Sequence, residues 1–145
     1  MSRRTSAVAA GLVYTALLLL VTLGPVPQRL AGSQSPRGVL AWRDWFDAST
    51  WTMGSSLEFA ANVVLFAPWG ALAVLVIGKR RWWLAILAGL ALTTLIEIAQ
   101  IPTARISDPR DLVANLAGTV LGVLLAVSVA AVRSRTQRLD PVTAG

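Results

Sequence analysis

WWLAILAGLALTTLIEIAQI, residues 82–101, is an almost wholly apolar run long enough for an α-helix to cross about 30 Å of hydrocarbon. Similar runs occupy residues 7–23, 57–77 and 112–132. Because backbone polar groups in lipid must be hydrogen-bonded within their own segment, spans of this length are helices. The sequence therefore predicts an all-α, polytopic membrane protein with four transmembrane helices.

Composition excludes several classes of function. Apolar residues make up 55% of the 145 residues, which is too many for a soluble domain. The chain has no Cys and no His, so it lacks thiolate ligands, the commonest metal ligand and the commonest acid–base catalyst. We expect no metal and no cofactor. The net charge of +6 comes from residues that flank the apolar runs, so we expect no nucleic-acid binding.

The placement of basic residues predicts the orientation. Arg3 and Arg4, the triplet at residues 79–81, and the segment after residue 132 are basic, whereas the other two connections mix acidic and basic residues. The positive-inside rule then places both termini in the cytoplasm, in what we expect to be a plasma membrane. The first run ends without an A-x-A-like cleavage site, which favours a retained span over a signal peptide.

The predicted organisation is a membrane domain over residues 1–132, with an outer loop at 24–56, followed by a disordered cytoplasmic tail at 133–145. Within the loop, GVLAWRDWFD (residues 38–47) has helical amphipathicity, with Val39, Trp42, Trp45 and Phe46 on one side. Such a segment can lie in the membrane interface or pack on the bundle as a lid. The sequence leaves both interpretations open.

Polar side chains inside the spans are informative because a carboxylate at mid-bilayer costs about 2.5–3.5 kcal/mol. Glu97 shares a helix face with Gly89, Thr93 and Gln100, so this face is predicted to point into the bundle. The alternation of the spans brings polar groups of three helices to one depth near the outer surface. We therefore expect an outward-facing ligand-binding pocket formed by Asn62, Glu97, Gln100, Arg105, Asp108, Asp111 and Asn115.

Structural roles compete with ligand binding at these positions. Asp108 before Pro109 is typical of a helix N-cap, and Asp111 would then favour the helix dipole. Amide side chains such as Gln100 can be interhelical hydrogen-bonding groups, and Arg105 can pair with Glu97. Residues assigned to helix packing are Pro68, which is expected to kink its helix, and the GxxxG pair Gly118 and Gly122.

Three segments together resemble the VanZ-like family of small bacterial membrane proteins: NVVLFAPWG (62–70), LIEIAQ (95–100) and ARISDPRDLVANLAGTVLG (104–122). The resemblance covers about residues 57–130. Two features depart from the family pattern. Ala104 stands where a glycine usually precedes the arginine, and the outer loop lacks the histidine that some members carry.

The namesake of this family is associated with reduced susceptibility to the glycopeptide antibiotic teicoplanin, so the resemblance implies a link to the cell envelope or to antibiotic resistance. The leading expectation is a non-enzymatic protein whose pocket binds a membrane lipid, a lipid-linked precursor or a glycopeptide. One alternative is an intramembrane enzyme acting on a lipid-linked anion, with Glu97 or Asp111 as general base and Arg105 holding phosphate. Another is a structural subunit of a membrane complex. The oligomeric state stays open.

Overall fold

The computed structural model describes residues 3–24, 37–52, 54–103 and 107–139. Its helices are α1 (Arg3–Leu23), α2 (Ala48–Thr52), α3 (Ser56–Ile77), α4 (Trp82–Gln100) and α5 (Pro109–Leu139), with 3₁₀ turns at Gly38–Leu40, Asp44–Phe46 and Lys79–Arg81. Helices α1, α3, α4 and α5 are long and apolar enough to cross a membrane, which confirms the predicted four-span, all-α fold.

The ends of the spanning helices have local causes. Ser55 caps α3 by accepting a hydrogen bond from the backbone N–H of Glu58 at 3.3 Å, in the S-x-x-E arrangement of a capping box. Gly78 ends α3 at a φ of 98°, a conformation that favours glycine, and donates its N–H to the carbonyl of Val74 at 2.8 Å. Pro102 follows α4 closely and prevents its continuation.

Helix α5 is longer than predicted. The predicted disordered tail began at residue 133, and that boundary was wrong because residues 133–139 are helical. No Gly or Pro interrupts the sequence from residue 123 to residue 139, so nothing local stops the helix at the membrane boundary. Ser134 also anchors this turn, because its Oγ accepts a hydrogen bond from Lys79 Nζ at 2.9 Å. Residues 140–145 lie outside the described residues.

The most extensive helix contact joins α3 and α5, and small residues make it possible. A Cβ atom at Gly118 would overlap the carbonyl oxygen of Val63, and one at Gly122 would overlap that of Ala67. From the other side, Gly70 lies directly against the backbone of α5. The two helix backbones are therefore in direct contact along the GxxxG stripe.

Two clusters of buried side chains complete the bundle. The first joins α1, α3 and α4, and the second joins α3, α4 and α5; they consist of Leu18, Phe66 and Ile96, and of Val74, Ala85 and Val123. Helix α1 packs on α3 through two further polar contacts. Tyr14 Oη donates to the carbonyl of Leu65 at 2.8 Å, and Trp69 Nε1 donates to Thr15 Oγ1 at 3.0 Å.

The spanning helices alternate in direction, which gives the bundle two different ends. The end that contains Leu23 of α1, the starts of α3 and α5 and the end of α4 is called the polar end. The opposite end, with the start of α1 and the turn at Lys79–Arg81, is called the basic end. The contact between Lys79 and Ser134 joins two elements of the basic end. That the basic end is cytoplasmic stays a prediction.

The loop segment at residues 38–47 does not form the amphipathic helix that its pattern suggests. It forms the two 3₁₀ turns, in which Val39 is buried while Trp42 is 66% exposed and Phe46 is 84% exposed. The apolar residues that the pattern places on one helix face therefore do not share an environment, since one is buried in the protein and two are exposed. The cause is a nonlocal contact, since Gly38 adopts a φ of 49° and lies against the side chain of Ser107.

Candidate functional site

Glu97 is the most deeply buried charged residue of the polar end, with 1% of its surface exposed. One turn of α4 before the helix end, it receives two hydrogen bonds from the segment that precedes α5. The backbone N–H of Asp108 donates to Glu97 Oε2 at 3.1 Å, and the hydroxyl group of Ser107 also hydrogen-bonds the carboxyl group. Asp108 and Asp111 are close enough to interact with Glu97 electrostatically.

Asp108 and Asp111 have distinct positions at the start of α5. Asp108 Oδ1 accepts the backbone N–H of Arg110 at 2.8 Å, which confirms the N-cap that the Asp-Pro pair predicts. Asp111 lies three residues after Asp108 and contacts α3, where Asn62 Nδ2 donates to Asp111 Oδ1 at 2.8 Å. Asp111 therefore joins the two most closely packed helices at the polar end.

Asn115 lies one turn deeper in α5 than Asp111 and is only 3% exposed. Its Nδ2 donates to Thr93 Oγ1 on α4 at 3.0 Å. Its Oδ1 is buried and has no hydrogen-bond partner among the described residues. Since an unpaired buried acceptor costs about 1–3 kcal/mol, this oxygen is an unusual feature.

Gln100, on the other side of Glu97, is also a buried amide whose nitrogen donates a hydrogen bond while its oxygen has no partner. It is 6% exposed, and its Nε2 donates to the backbone carbonyl of Thr22 in α1 at 2.9 Å. Its Oε1 is the second buried side-chain oxygen without a partner in the described part of the chain. Along α4, Gln100 lies about one turn above Glu97, while Asn115 contacts the residue one turn below it. The two residues with an unpartnered oxygen therefore lie about one turn to either side of Glu97 along the bundle axis.

The turn at Gly38–Leu40 lies against this region. The backbone N–H of Val39 donates to Ser107 Oγ at 3.0 Å, so Ser107 connects the loop to Glu97. A Cβ at Gly38 would lie 2.6 Å from both Cβ and Oγ of Ser107, so only glycine allows this approach. A second contact holds the end of the loop, where the guanidinium group of Arg110 lies against Gly54.

The polar end thus contains six of the seven residues assigned to ligand binding, and one, Arg105, lies outside the described residues. Four of the six form one hydrogen-bonded or closely spaced group across α3, α4 and α5: Asn62, Glu97, Asp108 and Asp111. Asn115 instead donates to Thr93 on α4, and Gln100 donates to the carbonyl of Thr22 on α1. Among the packing residues, Gly118 and Gly122 are buried at the α3–α5 contact, whereas Pro68 is exposed inside a helix that continues through it.

Sequence reasoning missed Ser107 and Thr22 as members of this region. Ser107 is a small polar residue in a connection, and nothing in its surroundings distinguishes it from an ordinary loop serine. Thr22 contributes only its backbone carbonyl, so its side-chain type carries no signal. The face shared by Gly89, Thr93, Glu97 and Gln100 was predicted, and all four residues are buried.

A family model described as VanZ/LLP1 matches residues 11–131, from within α1 to within α5, and so includes part or all of each spanning helix. The chain belongs to the VanZ/LLP1 family. The matched region begins within α1, so it extends well beyond residues 57–130, in which the motifs lie. Comparison with curated proteins gave no significant match, and neither did comparison with solved structures.

The candidate site of this VanZ/LLP1 protein contains many hydrogen-bond acceptors. The carboxyl groups of Glu97 and Asp111 and the free amide oxygens of Asn115 and Gln100 all lie at the polar end. Among the described residues, no three His, Cys, Asp or Glu side chains are grouped to hold a metal ion. The arrangement therefore suits a ligand that donates hydrogen bonds, such as one with hydroxyl, amide or ammonium groups.

Proposed function

We propose that this VanZ/LLP1 protein is a non-enzymatic binding protein of the bacterial plasma membrane, with its polar end on the outer side. Its ligand is the headgroup of a lipid-linked cell-wall precursor, and binding it alters the susceptibility of the cell to glycopeptide antibiotics of the teicoplanin type. The observation that carries the proposal is the pair of buried, unpartnered amide oxygens of Asn115 and Gln100 beside Glu97.

The energetics favour a ligand at this position. Each unpartnered amide oxygen costs about 1–3 kcal/mol, and a ligand that donates to both would recover that cost on binding. The headgroup of a cell-wall precursor offers many such donors in its sugar hydroxyl and peptide N–H groups. Because Asn115 and Gln100 lie within or at the end of spanning helices, we expect their ligand to be one that is anchored in the membrane.

The link to glycopeptides rests on family membership, since the namesake of the family is associated with teicoplanin susceptibility. A protein that occupies the precursor headgroup would compete with any antibiotic that recognises the same headgroup. This mechanism requires no covalent chemistry. The Ser107 hydroxyl agrees with such a mechanism, because it is already hydrogen-bonded to the N–H of Val39 and to Glu97 and is therefore not free to act as a nucleophile.

Two substitutions separate ligand binding from internal packing. Asn115→Leu removes the free acceptor together with the hydrogen bond to Thr93, whereas Thr93→Val removes only that hydrogen bond and leaves the acceptor in place. At matched protein levels, we expect Asn115→Leu to abolish both the effect on the teicoplanin inhibitory concentration and the retention of lipid-linked precursor in native mass spectrometry. Thr93→Val should preserve both.

The outcome that contradicts the proposal is wild-type protein that retains no precursor and leaves the inhibitory concentration unchanged. Equal losses in Asn115→Leu and Thr93→Val would also contradict it, because a shared structural hydrogen bond would then explain the effect. Recovery of chemically altered precursor from incubation with the purified wild-type protein would favour the intramembrane enzyme instead.

A further inference from the structure

An open groove lies between α1 and α3 at the basic end, far from the polar cluster. Its volume is about 570 Å³, within the range of roughly 300–1,000 Å³ that is usual for ligand pockets. The lining consists of Arg4 and Ala7 from α1 and of residues 75–78 from the end of α3. Deeper in the bundle α1 and α3 are in contact, since a Cβ at Gly11 would lie 3.9 Å from Val76 Cγ2.

The lining is apolar except at one position. Ala7 and the last residues of α3 supply aliphatic surface, and Arg4 supplies the only charged side chain among the lining residues. Arg4 is exposed, and its guanidinium group has five N–H donors that suit phosphate oxygens. This combination of an aliphatic channel with an arginine matches an acyl chain joined to a phosphate.

The charges around the groove have one sign. Six cationic side chains lie at the basic end among the residues whose side chains the structure describes: Arg4, Lys79, Arg80, Arg81, Arg133 and Arg135. Every acidic residue within the described ranges lies at the polar end: Asp44, Asp47, Glu58, Glu97, Asp108 and Asp111. The groove therefore lies in a strongly positive field, which attracts an anionic headgroup.

We propose that this groove binds an anionic phospholipid, with one acyl chain along Ala7 and the end of α3 and the phosphate at Arg4. A soluble phosphate would gain nothing from the aliphatic lining, so the apolar surface selects a lipid. This site is independent of the precursor site, because it lies at the opposite end of the bundle and shares no residue with it.

The test uses the full chain in nanodiscs that contain equal amounts of phosphatidylglycerol and phosphatidylcholine, with retained lipid measured by native mass spectrometry. We expect the wild type to retain phosphatidylglycerol preferentially and Arg4→Gln to lower this preference about 5-fold, as expected for one cation near a headgroup. Arg135→Gln is the matched control, since it removes a charge at the same end outside the groove. It should change the preference much less.

A second variant tests the apolar part without changing charge. Ala7→Leu fills the channel and is expected to lower the retention of phosphatidylglycerol, while far-UV circular dichroism reports whether the helices are intact. Equal retention of the two lipids by the wild type would overturn the proposal. So would equal effects of Arg4→Gln and Arg135→Gln, which would mean that the positive field acts without a defined groove.

Discussion

The contact between α3 and α5 yields a prediction with a calculable magnitude, for the substitution Gly122→Ala. A Cβ at Gly122 would overlap the carbonyl oxygen of Ala67 and would lie 2.8 Å from the Ala67 carbonyl carbon and 2.9 Å from the backbone nitrogen of Ala71. All three atoms belong to the backbone of a helix, so no side-chain rotation relieves the overlap. The helices must move apart, and overpacking of this kind costs about 1–3 kcal/mol.

Gly11→Ala in α1 is the matched control. It introduces the same methyl group into another spanning helix, but there the Cβ makes only an ordinary contact of 3.9 Å with Val76 Cγ2. Both substitutions gain the same intrinsic helix propensity, about 0.5–1 kcal/mol, which cancels in the comparison. The overlap with three backbone atoms places Gly122→Ala near the upper end of the overpacking range. The two variants should therefore differ in free energy of unfolding by about 2–3 kcal/mol.

The assay is reversible unfolding in mixed micelles by sodium dodecyl sulfate, followed by the fluorescence of the six tryptophans. We expect Gly122→Ala to unfold at a lower detergent fraction than the wild type, and Gly11→Ala at an equal or higher one. If the two variants differ by less than about 0.5 kcal/mol, which is the usual error of such comparisons, the close backbone contact between α3 and α5 is refuted.

Three further outcomes are expected. In a double-mutant cycle, Asn62→Ala and Asp111→Ala should show a coupling free energy of about 0.6–1.7 kcal/mol, and zero coupling would remove their hydrogen bond. Glu97→Leu should lower the free energy of unfolding by about 1–3 kcal/mol because it leaves the partly buried N–H of Asp108 unpaired. Glu97→Gln should lower it less, and equal losses would contradict this. Since the chain has no Cys, single cysteines report orientation: Ser49→Cys should react with an impermeant maleimide in intact cells and Arg135→Cys only after permeabilisation. The reverse pattern would invert the topology.

The spanning helices could be predicted from the sequence because their signal is local. A continuous apolar run must be a helix in lipid whatever its neighbours are. The predicted spans therefore agree with α1, α3, α4 and α5 to within a few residues. The exceptions are α1 and α5, which begin earlier than predicted, and the end of α5, which extends further. Helix caps at Ser55 and Asp108 are local as well, since each bonds a backbone N–H within three residues.

The outer loop could not be predicted in the same way because its conformation depends on distant residues. The turn at Gly38–Leu40 is held by Ser107, which is 68 residues away from its hydrogen-bond partner Val39. Helical periodicity groups Val39 with Phe46, but a nonlocal contact buries the first and leaves the second exposed. Periodicity describes one isolated helix, so it fails wherever tertiary contacts set the backbone.

The candidate site falls between these two cases. Helix faces indicated that Asn62, Glu97 and Asn115 meet at one level, because span direction and rise per residue fix the depth of each residue. The depth and face of each residue do not determine which atoms form hydrogen bonds with each other. The amide of Asn115 donates to Thr93 and leaves its oxygen free, and this division depends on the side-chain torsions of Asn115, which helix periodicity does not give.

The separation of charge between the two ends connects the topology with both proposals. Because the described acidic residues lie at the polar end and the basic residues concentrate at the other, the positive-inside rule favours the basic end as the cytoplasmic one. That orientation turns the acceptor-rich site outward, where glycopeptides act, and the arginine-lined groove towards the anionic surface of the inner leaflet. An inverted topology would separate each site from its proposed ligand, so the cysteine-labelling result constrains both proposals before any ligand is measured.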